Sequence, residues 1–88
     1  MSLLIGYDLN RPGQDYGSLH DAIKALGSWW HHLDSTWIVD TYKTCAQVRD
    51  ELNKHIDAND ELLVVKLSGE GAWHGFTPKG SEWLKEHL

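Results

Sequence analysis

The stretch Tyr7-Asp8-Leu9-Asn10 ends an apolar run on a carboxylate, and Arg11 follows it into a loop. A carboxylate at a strand end can do two things. It can present hard oxygens to Mg²⁺ or Mn²⁺, which suits phosphodiester hydrolysis by a metal-activated water. It can equally accept hydrogen bonds from the loop backbone between Asn10 and Gly13, as Asx side chains at strand ends do. Asn10 and Arg11 stand at the lip of such a site, where the planar guanidinium can clamp a phosphate. His31 and His32 are adjacent, so in a strand they face opposite ways and cannot chelate one ion together. One of them can pair with Asp34 for acid–base work, and His74 in Ala72-Trp73-His74-Gly75-Phe76 is a third titratable ring. Packing beside an indole is the plainer role for each. Ser35 and Thr36 have no base in a recognisable hydrolase motif. Cys45 falls at a helix start but also on an apolar stripe, which places it in the core. Glycines 69, 71 and 75 lack the Lys-Ser/Thr ending of a phosphate loop and read as a connector.

The elements that position these residues follow from periodicity. Leu3, Ile5, Tyr7 and Leu9 alternate with Leu4, Gly6 and Asp8, giving a first strand that is apolar on one face and mostly apolar on the other. Leu19, Ala22, Ile23 and Leu26 form a helical stripe, with Ser18 and Asp21 as its N-terminal cap and Gly27 at C′. Residues 28–34 and 35–42 are aromatic and β-branched and form a hairpin that turns at Asp34-Ser35. Thr44 and Gln47 make a capping box before a second stripe of Cys45, Val48, Leu52 and Ile56. After a turn at Asn59-Asp60, the run from Glu61 to Gly69 is short enough to be a buried strand, and a short helix is expected from about Ser81. The order β-α-β-β-α-β predicts an α+β, ferredoxin-like fold over residues 1–88, with a four-stranded antiparallel sheet and both helices on one face. The short C-terminal helix cannot hold itself together in water, so residues 70–88 must dock on their own open sheet face or on that of a partner.

A chain of 88 residues buries only about 60 to 65% of its unfolded surface and gains from extra contacts. Five tryptophans and three tyrosines are more large anchors than a monomer of this size needs, which predicts a homodimer. One cysteine excludes an intramolecular disulfide framework and suits a reducing cytoplasm. No apolar run approaches the ~20 residues of a membrane helix, and the start carries no basic leader. Thirteen acidic against eight basic residues give a net charge of −5 with no basic stripe, which weakens any nucleic-acid interaction.

Three segments carry a resemblance: YDLNRPGQDY, DSTWIV and EWLKEHL. Nearly the whole chain resembles the small bacterial proteins called the SinR family, although nothing in it reads as a helix-turn-helix. More distantly, the strand ending in YD is similar to the CRISPR-associated endonuclease and spacer-integration subunits and to virulence-associated protein D. That resemblance implies a homodimer in which two copies of the aspartate, here Asp8, face each other and bind a metal. Asn10, Ser35 and Thr36 would then contact substrate and Arg11 would position phosphate. The expected function is a Mg²⁺- or Mn²⁺-dependent nuclease-like protein acting on RNA or DNA. The competing expectation, favoured by the acidic charge, is a non-catalytic dimeric interaction protein, an adaptor or inhibitor in phage defence or a toxin–antitoxin pair.

Overall fold

The computed structural model describes residues 1–10 and 16–88. Its elements are β1 (Ser2–Asp8), α1 (Gly17–Lys24), β2 (Ser28–Leu33), β3 (Thr36–Asp40), α2 (Cys45–Asn53), β4 (Glu61–Lys66) and α3 (Pro78–His87). The four strands form one sheet in the order β2-β3-β1-β4, with every neighbouring pair antiparallel. This is the α+β, ferredoxin-like arrangement with an added C-terminal helix.

Alternation sorts the side chains between two cores. On the helix face, Leu3 and Ile5 of β1 and Trp37 and Val39 of β3 meet Leu19 and Ile23 of α1 and Val48 and Leu52 of α2. Each such burial contributes about 1.5–3 kcal/mol relative to exposure. On the other face a smaller cluster of Trp30, Ile38 and Leu84 gathers Leu67, Trp73, Phe76, Trp83 and Leu88 around it. The C-terminal helix therefore docks on its own sheet, and the Ser2 hydroxyl donates to the His87 carbonyl at its far end.

Two helix starts differ from the sequence expectation. The first helix begins at Gly17 with Tyr16 as N-cap and no side-chain cap bond, so Ser18 lies inside the first turn. A tertiary contact sets this start instead: the Tyr16 hydroxyl lies 3.1 and 3.0 Å from the two oxygens of Asp60. The third helix begins at Pro78 rather than near Ser81, because the Thr77 hydroxyl accepts from the Gly80 N–H at 3.1 Å and proline suits the first helical position. The capping box of α2 is present as read, with Thr44 Oγ1 accepting from Gln47 N at 3.1 Å and Gln47 Oε1 from Thr44 N at 2.8 Å.

The two sheet edges are unlike. At the β2 edge the pairing with β3 shifts register between Trp30 and Leu33, and α3 lies against it. At the β4 edge the pairing with β1 runs unbroken from Leu3↔Lys66 to Asp8↔Glu61. The Leu67 N–H donates to the Ser2 carbonyl, so the odd residues of β4 spend their backbone groups on β1. The main-chain groups of Leu62, Val64 and Lys66 consequently point away from the sheet.

Candidate functional site

Because β1 alternates, Asp8 shares its face with Leu4 and Gly6, the face opposite α1 and α2. The register places Glu61 of β4 directly across from Asp8, Leu63 across from Gly6 on one side, and Thr36 across from Gly6 on the other. Directly opposed residues in an antiparallel pair hold their Cβ atoms about 4.5–5.5 Å apart, so Asp8 and Glu61 form a two-carboxylate pair. Both are exposed, and no ion pair among the described residues neutralises either. They flank a shallow depression of about 290 Å³ with Gly6, Tyr7, Leu62 and Leu63.

Sequence reasoning singles out Asp8 and passes over Glu61, its neighbour across the sheet. The missing signal was register: Glu61 lies far along the chain and becomes Asp8's neighbour only once β4 pairs antiparallel to β1. Among the described residues no group of three or more His, Cys, Asp or Glu side chains could hold a metal ion. A cation here would take two protein carboxylates and fill its remaining positions with water or a partner's groups.

The other expected site residues divide. Asn10 is a structural tie, its backbone N–H donating to Asp60 Oδ1 and its side-chain amide to the Asn59 carbonyl, both at 2.8 Å. Asp60 also accepts from the Asp57 N–H at 2.8 Å, so one carboxylate gathers the loops around the end of β1. Ser35 sits in the hairpin turn and gives its carbonyl to the Tyr7 N–H at 3.1 Å. Thr36 lies on the Asp8 face, half-buried. Arg11 lies outside the described residues.

Behind the site, on the helix face, runs a separate polar chain. Trp37 Nε1–H donates to Tyr7 Oη at 3.0 Å, and Tyr7 Oη lies 3.2 Å from His20 Nε2. An indole N–H can only donate, so the Tyr7 hydroxyl accepts from Trp37, and its contact with His20 completes the chain. His31 stacks on Trp37 with ring centroids 3.7 Å apart, and its Nε2 lies 3.0 Å from the Asp34 carbonyl. The acid–base pairing of His31 with the Asp34 carboxylate therefore gives way to a brace across the hairpin. His20 and His31 lie on the helix side of the sheet and Asp8 on the other, so neither imidazole can serve a reaction at the carboxylate pair.

No protein-family model matches this chain. No solved structure matches it significantly. Among the described residues no helix is long and apolar enough to cross a membrane.

Proposed function

We propose that this protein is a non-catalytic interaction module that pairs with a second copy of itself along β4. The supporting observation is the state of that strand: an unbroken six-residue edge whose open-face side chains, Leu63 and Val65, are 58% and 37% exposed beside half-buried Leu4. Natural edges are usually blunted by a proline, a bulge or a central charge, and β4 carries its charges only at its ends, Glu61 and Lys66. A two-fold axis at Val64 brings each outward main-chain group against its counterpart, and sets Leu63 opposite Val65 of the partner subunit. This self-complementary pattern is what an isologous interface requires. The net charge of −5 on each chain suits a basic protein partner, and this supports the adaptor or inhibitor role.

Sedimentation equilibrium tests this reading. The wild-type chain should be dimeric at micromolar concentrations, and Leu63→Lys should weaken association by about tenfold or more while leaving the circular dichroism spectrum unchanged. A wild-type monomer throughout, or a lysine variant that still dimerises as tightly, overturns it.

The opposition of Asp8 and Glu61 favours a second reading, the Mg²⁺- or Mn²⁺-dependent nuclease acting on RNA or DNA, to which the likeness of the YD strand end also speaks. Each chain would then supply two carboxylates, and a dimer would not be needed to assemble the pair. Cleavage of RNA or DNA with Mn²⁺ should fall about a hundredfold or more in Asp8→Ala and in Glu61→Ala. Inactivity of the wild type, or full activity of Asp8→Ala, removes this reading.

A further inference from the structure

A groove of about 450 Å³ runs between the β2 edge and α3, lined by Trp29, Trp30, His31, His32, Lys79 and Trp83. That volume lies within the range of small-molecule sites. Its lining is unusual for this chain. In a protein of net charge −5 it contains no carboxylate, and its charged group is the ammonium of Lys79. A second ammonium is close by, since Lys24 Nζ lies 5.2 Å from the centroid of the Trp29 ring.

The polar groups of the groove divide into spent and unspent. Trp30 Nε1–H donates to the Gly80 carbonyl at 3.1 Å, and Trp83 Nε1–H to Ser28 Oγ at 2.9 Å. By contrast, Trp29 Nε1–H, the ring nitrogens of His32 and the Lys79 ammonium have no hydrogen-bond or ion-pair partner among the described residues. Trp29 packs at a tilt on Trp37 with ring centroids 5.4 Å apart, yet is still 42% exposed, a large apolar surface left open at the groove. The groove therefore offers flat indole walls for stacking, unspent donors at its rim and positive charge without a counter-ion.

We propose that this groove binds a planar heteroaromatic ring that carries a phosphate, the chemistry of a nucleoside monophosphate. The base stacks on the exposed indole of Trp29, with Trp83, whose other face is taken by His87, lining the groove beside it, and the phosphate takes the Lys79 ammonium with the His32 ring next to it. A cationic ligand, the usual guest of an aromatic cage, would face two lysines with no carboxylate to neutralise it. A purely apolar guest would leave the donors unmet. This site is separate from β4 and from the carboxylate pair, so it stands or falls independently of the function proposed above.

Isothermal titration of the full chain with AMP, adenosine and ribose 5-phosphate tests it. AMP should bind saturably, with adenosine and ribose 5-phosphate each weaker by about tenfold. Lys79→Ala should bring AMP down to the affinity of adenosine and leave adenosine unchanged, while Trp29→Ala should weaken both. A short single-stranded oligonucleotide bearing a terminal phosphate separates two sources of the same chemistry: tighter binding than AMP points to a nucleic-acid end, equal binding to the free nucleotide. Absence of saturable binding by AMP and the oligonucleotide alike overturns the proposal, as does a Lys79→Ala protein that binds AMP like the wild type.

Discussion

Trp37→Ala should cost about 3–5 kcal/mol and leave a large fraction of the chain unfolded at physiological temperature. Trp37 is 1% exposed and is the largest fully buried side chain in the protein. It closes the helix-face core, stacks under His31 and donates to Tyr7, so its removal opens a cavity and takes from the Tyr7 hydroxyl one of its two partners in one step. For a domain of this size each kcal/mol moves Tm by about 4–8 °C, so the variant should melt at least ~12 °C lower. Trp37→Phe separates the two contributions. It keeps most of the volume and loses the N–H, and should cost only about 1–3 kcal/mol. Urea denaturation followed by circular dichroism reads both, and an alanine variant with a near-native midpoint would contradict the placement of Trp37 at the centre of the core.

Gly27→Ala should be nearly as damaging, by about 2–4 kcal/mol, although the change adds one methyl group to an exposed residue. Gly27 joins α1 to β2 at φ 157°, immediately before the Ser28↔Asp40 pair. A Cβ built there would overlap the Asp40 carbonyl oxygen, which belongs to the backbone of β3 and cannot swing aside. The chain must therefore spread the β2–β3 pair at its first rung. Gly69 supplies the control. It also has a positive φ, 92°, but a Cβ there meets nothing within 4 Å, so Gly69→Ala should cost only about 1 kcal/mol. Equal losses at the two positions would mean that conformational strain, and not contact with Asp40, sets the penalty at Gly27.

What could be read in the sequence was whatever its own neighbours decide. The alternation of Leu3, Ile5 and Tyr7, the stripe of Val48 and Leu52 and the reciprocal bonds of Thr44 and Gln47 are all local, and each appears where expected. The start of α1 was misplaced because Tyr16 is held by Asp60, a partner forty-four residues away. The start of α3 is legible in Thr77-Pro78, a cap followed by a first-turn proline, five residues ahead of the first large apolar side chain of the helix, Trp83. The carboxylate pair and the tryptophan groove were beyond reach for one shared reason. Glu61 comes opposite Asp8, and Lys79 comes to line one groove with Trp29, only through the pairing and docking of distant segments. A single sequence states its periodicities but not its registers.

The unlike edges of the sheet carry a consequence for assembly size. A β-sheet with two regular edges can add copies at both ends and grow without limit, which is the geometry of fibres. Here the β2 edge is kinked by its register shift and guarded by α3, while β4 is straight and open. Under the β4 pairing proposed above, such a subunit would have a valence of one. Two copies joined at β4 consume both open edges, and the resulting sheet of eight strands, four from each, terminates on both sides at a β2 that cannot accept another chain. In the dimer proposed above, the irregularity at Trp30 to Leu33 would cap growth and keep a protein with a sticky strand finite.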